Sequence, residues 1–271
     1  MPSDTTSAEN GRTSRTAIWI VLPTLNEGGN IEELLRGIKS ELSAYRCGVC
    51  VVDGGSVDGT VEKVRRFAEM ELNPQFSLVL IHQKRMHWGA QRGGAVLMGM
   101  IYGLQHSDWD LFVEMDADLA HKPHDLHKGI QAIADQGYNV AIASKYAADS
   151  RVLGRPLFRR MLSITYNSLL RTFLSHKVRD FSNGYRLYDS GAALFLCSQR
   201  IRYTSPVYLV DVLAILIAAR YKVAEFPSTY EERRKGVSKI TFLDYLKAGV
   251  GASEITVRHW VGATRKKRNV Q

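Results

Sequence analysis

Apolar positions along this chain fall into two alternating rhythms. Five short runs, Ala17 to Leu22, Val49 to Val52, Phe76 to Ile81, Trp109 to Met115 and Val140 to Ala143, are rich in aliphatic, β-branched and aromatic residues, and each gives way to a polar residue or proline. Continuous runs of this length predict strands buried on both faces. Between them, Asn30 to Leu42 places Ile31, Leu34, Leu35, Ile38 and Leu42 at helical spacing, and helices are also predicted from about Asp58 to Met70, Ala90 to Leu104 and Leu126 to Gln136. Strands and helices alternating at this period predict βαβ units: an α/β domain with a mostly parallel central sheet and helices on both faces. No internal repeat or linker divides it, so the expected boundaries are a flexible tail over 1–16, one domain over 17–258 and a basic tail over 259–271.

Ligands of such sheets bind beyond the carboxyl ends of the strands. Three polar clusters stand there: Pro23 to Glu27, Asp53 to Thr60, and Asp116 to Asp118. Residues two apart on extended backbone point the same way, so Asp116 and Asp118 are expected to converge. Converging carboxylates repel unless a cation or proton intervenes, and hard oxygen ligands suit Mg²⁺ or Mn²⁺. A lone Asp-x-Asp is more often a solvated turn; its company decides. In Asp53-Gly54-Gly55-Ser56-Val57-Asp58-Gly59-Thr60 the glycines permit a tight turn and close approach to a ligand, and Asp58 is placed to cap the next helix. Neither a GxGxxG fingerprint nor a phosphate-binding P-loop occurs here, which disfavours a dinucleotide dehydrogenase or an NTPase. A carboxylate-based nucleotide site with a metal for the diphosphate remains.

Composition narrows the partners. The 271 residues are 45% apolar and 23% charged, as in an ordinary soluble globular domain. A net charge of +9 predicts an anionic partner, and no recognised nucleic-acid motif accompanies it, so nucleic acid is not expected. Cys47 and Cys50, with no second Cys pair or ligand-spaced His pair, read as core thiols of a reducing compartment. The first sixteen residues lack the apolar centre of a signal peptide, and the longest apolar run, Val212 to Ala219, is far short of the roughly 20 residues a span needs. Any membrane contact is therefore expected to be peripheral. Leu157 to Leu174 has an apolar face and a basic one carrying Arg159, Arg160 and Arg171, which suits either a helix packed on the sheet or an interfacial element. The run Arg265-Lys266-Lys267-Arg268 would add attraction to anionic lipid.

At this point the sequence resembles a known family. Pro23-Thr24-Leu25-Asn26-Glu27, Val51-Val52-Asp53-Gly54-Gly55-Ser56 and Met115-Asp116-Ala117-Asp118-Leu119-Ala120-His121-Lys122-Pro123 look like successive motifs of family 2 glycosyltransferases with the GT-A fold. Ser144-Lys145-Tyr146, Asp180-Phe181-Ser182-Asn183-Gly184-Tyr185-Arg186-Leu187-Tyr188, and Glu225-Phe226-Pro227 through Arg233 to Lys239 are similar to dolichol-phosphate mannosyltransferases and related polyprenyl-phosphate hexosyltransferases.

The resemblance implies an inverting transfer of a hexose from a nucleotide diphosphate sugar, GDP-mannose first, to a polyprenyl phosphate. The protein would work peripherally on an anionic membrane, at its cytoplasmic face. Pro23, Leu25, Glu27, Val51 and Asp53 would line the nucleoside pocket; Asp116 and Asp118, with Ala117 between them, would hold Mg²⁺ or Mn²⁺ against the diphosphate. Arg233 and Lys239 would reach over the donor phosphates, and Lys145, Arg159 and Ser163 would meet the acceptor phosphate. Several positions depart from the pattern. Gly54 replaces a second Asp, Leu25 a common Tyr, Ala120 a frequent polar ligand and Lys145 a usual Arg, which loses a bidentate fork. Asp211 stands where Glu is usual, and His87 to Gly94 departs from a Gly-Leu-Gly entry to its helix. These substitutions keep open a non-lipid acceptor such as a secondary metabolite. A catalytically silent, nucleotide-sugar-binding homologue is the other alternative, opposed by the retained Asp53, Asp116, Asp118, Arg233 and Lys239.

Overall fold

The computed structural model describes residues 16–83, 91–232 and 249–260. In chain order its elements are β1 (Ala17–Thr24), α1 (Ile31–Glu41), β2 (Arg46–Asp53), α2 (Thr60–Glu71), β3 (Phe76–His82), α3 (Arg92–His106), β4 (Leu111–Glu114), a 3₁₀ turn (Pro123–Asp125), α4 (Leu126–Ala134) and β5 (Val140–Ser144). There follow β6 (Arg151–Leu153), α5 (Leu157–Phe173), β7 (Arg186–Asp189), α6 (Ser190–Ser198), α7 (Tyr208–Ala218), β8 (Val223–Pro227) and β9 (Thr229–Glu231). Residues 249–260 are helical.

Seven strands form one sheet in the order β3-β2-β1-β4-β7-β5-β8, and β6 pairs with β9 in a separate parallel ribbon. All pairs in the large sheet are parallel except those of β7, which runs antiparallel between β4 and β5. The five apolar runs are all strands, and the four helices expected among them are present. β7 was not expected: Arg-Leu-Tyr-Asp carries polar residues at both ends and offers no apolar run to read.

Alternation along the strands divides the core into two layers. On one face Trp19, Val21, Cys50, Val52 and Phe112 pack with Ala95, Val96 and Met100 of α3 and with Leu213 of α7. On the other, Ile18, Ile20, Leu22, Cys47, Val49 and Val51 pack with Ile31, Leu34 and Ile38 of α1 and Phe67 of α2. Cys47 and Cys50 thus belong to opposite layers, and burial pushes each thiol up to about 12, as inert core side chains. The apolar run after Asp211 belongs to α7, which is buried along most of its length. Among the described residues no helix is long and apolar enough to cross a membrane.

Candidate active site

Register brings the polar clusters to one edge of the sheet. Thr24 of β1 lies opposite Asp53 of β2, and Val21 opposite Glu114 of β4, so the loops after these strands leave the same end. Asp53 is buried and accepts the N–H groups of Gly55 at 2.9 Å and Ser56 at 3.1 Å, with His82 Nδ1 3.6 Å away. Asn26, in the left-handed region at φ 58°, ties the two loops together. Its N–H donates to Ser56 Oγ at 2.8 Å and its side-chain oxygen accepts from Val57 N at 3.0 Å. Glu27 accepts from Asn30 Nδ2 at 2.8 Å. Pro23 is half-buried and Leu25 is exposed at this rim, whereas Val51, expected to line the nucleoside pocket, is fully buried in the core.

The N-cap of α2 is Gly59, at φ 85°, one residue after the Asp58 expected to cap it. Asp58 instead accepts from Gly28 N at 2.8 Å and Thr60 N at 3.2 Å. Burial opposes its charge, but hydrogen bonds from the Thr60 side chain and from the backbone hold its carboxyl below the ordinary range.

Asp116 and Asp118 follow β4 directly. Asp118 is buried and accepts from Ala120 N at 3.0 Å; Ala117 between them is buried; Asp116 is partly exposed and accepts from Arg92 Nε at 2.6 Å. Arg92, in the first turn of α3, also donates to Glu114 at 2.8 Å, to the Tyr208 hydroxyl at 2.9 Å and to the Gly184 carbonyl at 2.7 Å. Burial disfavours the guanidinium charge, but Asp116 and Glu114 more than compensate and raise its pKa. Glu114, fully buried, further accepts from Tyr188 at 2.6 Å and from Tyr208. Gly184 has to be glycine for this approach, because a Cβ there would collide with the guanidinium.

Asp116 and Asp118, two apart just beyond the end of β4, offer the hard oxygens that Mg²⁺ or Mn²⁺ takes, and among the described residues no group of three or more His, Cys, Asp or Glu side chains is gathered to hold an ion. Such an ion would draw its remaining ligands from elsewhere, as Mg²⁺ commonly does from phosphate and water.

The positions expected to meet an acceptor phosphate lie near one another, each already engaged. Lys145 Nζ is 2.8 Å from Asp180, whose carboxylate also accepts the Lys145 N–H at 3.0 Å. Both groups are buried; desolvation lowers the Lys145 pKa, with Asp180 opposing it. Arg159 Nη1 donates to Glu232 at 2.8 Å, and Ser163 Oγ shares a 2.8 Å hydrogen bond with the Tyr146 hydroxyl. Arg233 and Lys239 lie outside the described residues.

Several residues of this site were not singled out from the sequence. Tyr230 of β9 is a shared wall: its ring centre lies 5.9 Å from Lys145 Nζ, 5.7 Å from Arg155 Cζ and 5.3 Å from the His121 ring. Burial raises the Tyr230 phenol, with the negative charges of Glu232, Asp118 and Asp116 adding to the shift and Arg155 opposing it. His121 is buried, with Nδ1 lacking a hydrogen-bond partner. Arg92 and Glu114 did have a signal: a glutamate inside the apolar Trp109 to Met115 run requires a buried partner.

Beside this edge, α5 turns its apolar face outward. Leu157, Phe158, Met161, Ile164, Leu169 and Phe173 are exposed, while Asn167 and Leu170 face the protein. Trp260, itself exposed, donates to the Phe173 carbonyl at 2.8 Å and carries the surface on to the 249–260 helix. The helix packs on the core through Leu170, with Leu174 and Tyr166 in the same cluster, and leaves the residues just named at the surface.

The sheet order, the βα loops gathered at one edge and the Asp-x-Asp after the fourth strand define a GT-A fold, the α/β architecture of nucleotide-sugar transferases. The glycosyl transferase family 2 model matches residues 19–194, and the chain belongs to that family. It is 30% identical over 237 residues to a dolichol-phosphate mannosyltransferase of Pyrococcus furiosus, covering 85% of this chain but only 62% of that protein. It is 28% identical to a polyprenol monophosphomannose synthase of Mycolicibacterium smegmatis, covering 91% and 88% of the two chains. Among solved structures, glucosyl-3-phosphoglycerate synthase from Mycobacterium tuberculosis, in complex with Mn²⁺, UDP-glucose and phosphoglyceric acid, superposes with a TM-score of 0.66 at 15% identity. That alignment covers 94% of this chain and 85% of the other, and it bears on the fold alone.

Proposed function

We propose that the protein transfers a hexose, mannose or glucose in type, from a nucleotide diphosphate sugar to a polyprenyl phosphate, with inversion. GDP-mannose is the first donor to test, since the relatives named above are mannosyl enzymes. The observation that carries the reading is the continuity of charge and grease. Arg159 lies on the same helix as the exposed Leu157, Phe158 and Met161, so a lipid phosphate held at Arg159 would lay its chain along α5. An exposed apolar face of this kind suits contact with a lipid chain or another apolar surface.

In this reading the rim around Pro23, Leu25, Glu27 and Asp53 takes the nucleoside, Val51 and Ala117 shape it from below, and Asp116 and Asp118 hold Mg²⁺ or Mn²⁺. A bound divalent ion would neutralise charge on the departing diphosphate. Arg233 and Lys239 fall to the donor phosphates, and Lys145, Arg159 and Ser163 to the acceptor side. The chain's own contribution is positioning. Asp180 fixes the Lys145 backbone and side chain together, while Arg92 fixes Asp116. An acceptor phosphate is already anionic at neutral pH, so attack in line with the leaving diphosphate needs no strong base. The site would face the cytoplasm from the membrane surface.

The deciding experiment incubates the protein with labelled nucleotide sugars, a polyprenyl phosphate and Mg²⁺ or Mn²⁺, then separates organic from aqueous product. Label in the organic phase, acid-labile and lost with chelator, is expected. Transfer only to water-soluble acceptors, or none with any donor, would overturn the assignment.

A further inference from the structure

We propose that Arg155 is the principal phosphate-binding cation of the acceptor subsite, a deepening that rests on the reading above. The basic side chains around Tyr230 are not equivalent. Lys145 is neutralised by Asp180 at 2.8 Å and Arg159 by Glu232 at 2.8 Å. Lys122 is likewise 3.2 Å from Glu231. Arg155 has no such carboxylate among the described residues, and its Nε is buried without a hydrogen-bond partner. Its guanidinium lies 5.7 Å from the Tyr230 ring centre, on the ring that Lys145 also approaches.

A buried donor without an acceptor is rare in folded proteins, because the group loses water and gains nothing. It is explained where a ligand brings the acceptor. A planar guanidinium suits a phosphate, which it can bind through two parallel hydrogen bonds that a lysine cannot make. Arg155 is also held in place from both sides. Gly154 before it turns the chain at φ 70°, and Pro156 after it is the N-cap of α5. The exposed apolar face of α5 begins at Leu157, two residues on, with Phe158 beside it. A phosphate gripped by Arg155 could therefore lay an attached apolar chain directly on that face. Tyr230 forms a β-bridge with His121, and the Glu231 N–H donates to the Ala120 carbonyl at 2.9 Å, so the ring beside Arg155 is tied to the loop that carries Asp118.

This position also accounts for the lysine at 145. With Asp180 occupying its ammonium, Lys145 shapes the subsite, and the bidentate grip passes to Arg155. The chemistry recognised is a phosphate monoester, whether it ends a lipid or a small metabolite.

The test measures both substrates on Arg155→Ala and Arg155→Lys, with farnesyl phosphate and glycerol 3-phosphate as the lipid-borne and small phosphate probes. The alanine variant is expected to raise KM for the preferred phosphate acceptor at least about tenfold, leaving donor KM and thermal midpoint unchanged. Lysine should recover only part, since it restores charge without the fork. An unchanged acceptor KM overturns the proposal, and so does an equal rise in donor KM. If the wild type transfers to glycerol 3-phosphate alone, the lipid reading fails while the Arg155 comparison still decides on that acceptor. If no transfer is seen, direct calorimetry of the two probes against wild type and Arg155→Ala replaces kinetics. Equal affinities there overturn the assignment.

Discussion

Arg92 reaches Asp116 through Nε at 2.6 Å and Glu114 through Nη1 at 2.8 Å, so one guanidinium joins a carboxylate inside the sheet to one at its working edge. The charge balance follows from this pair. Glu114, Asp116 and Asp118 carry three negative charges when ionised and Arg92 one positive, leaving two, which a divalent cation would cancel. Arg92 thereby fixes one oxygen of Asp116 and tempers the repulsion that two nearby aspartates would otherwise feel.

Replacing Arg92 by Met should therefore be expensive twice over. Glu114 is fully buried, and removing one partner of a buried ion pair typically destabilises by about 3–5 kcal/mol. Urea denaturation should show that loss, with Arg92→Met/Glu114→Gln recovering part of the stability but not the turnover. Gly184→Ala, which pushes a methyl into the guanidinium, should reproduce a milder form and combine non-additively with Arg92→Met. Wild-type stability and kcat/KM in Arg92→Met would show that the network orients nothing.

A second prediction isolates Asp118. Its carboxylate accepts from Ala120 N at 3.0 Å, and asparagine keeps an oxygen for that bond, so Asp118→Asn should fold normally. If the pair binds metal, activity should fall more than about 100-fold, because outer-shell partners alone are worth 10–100-fold. Mn²⁺ titration followed by electron paramagnetic resonance should show weakened binding in the same variant. Unaltered Mn²⁺ affinity, or full wild-type turnover in excess chelator, would remove the metal from the site.

The strands and helices that form the site's frame were legible because burial on both faces writes itself as continuous apolar runs, from Ile18 to Leu22 and from Leu111 to Val113. Asp116 and Asp118 were legible for the opposite reason, as charges at the abrupt end of such a run. What stayed hidden was pairing across long separations. Nothing local marks Asp180 as the partner of Lys145, Glu232 as that of Arg159, or Gly184 as the surface against which Arg92 rests. The Asp180 to Tyr188 motif could be recognised without being understood; its work is structural. Arg186 within it donates to the carbonyls of Asn183, Phe181 and Leu209, which holds a buried irregular loop in one shape.

His121 gives the structure a specific acid sensitivity. Burial, with Lys145 adding to it, pushes its pKa down to about 4 from the ordinary 6.5. A group whose folded pKa lies below its unfolded value contributes stability above the unfolded pKa and loses it as pH falls through the folded one. The window therefore runs from about pH 6.5 down to about pH 4, and the contribution at stake is roughly 3 kcal/mol at 1.36 kcal/mol per pKa unit. Denaturation midpoints measured at pH 7.0 and at 4.5 should diverge less in His121→Gln than in wild type. Parallel pH profiles for the two proteins would refute a buried neutral imidazole.

The last prediction concerns where the protein works. Phe158 is 74% exposed and Met161 60% exposed, one turn apart on α5, with Arg160 and Arg171 also exposed on that helix. Apolar residues at this spacing beside basic ones suit a helix lying in the headgroup region. At about 1.5–3 kcal/mol for full burial of each such side chain, Phe158→Ser with Met161→Ser should weaken vesicle partitioning roughly 100-fold or more. Neither side chain supports the core, so the thermal midpoint should hold. The electrostatic part should respond separately: binding to vesicles containing phosphatidylserine should fall between low salt and 0.5 M salt, as the Debye length shrinks. Neutral vesicles should bind more weakly and show little salt response. Sedimentation with liposomes measures all three. Absence of binding to anionic vesicles at low salt would leave α5 without a membrane role and return the choice of acceptor to a soluble phosphate ester. Salt-sensitive binding that survives the double substitution would instead place the contact on the basic residues alone, with the apolar face of α5 uninvolved.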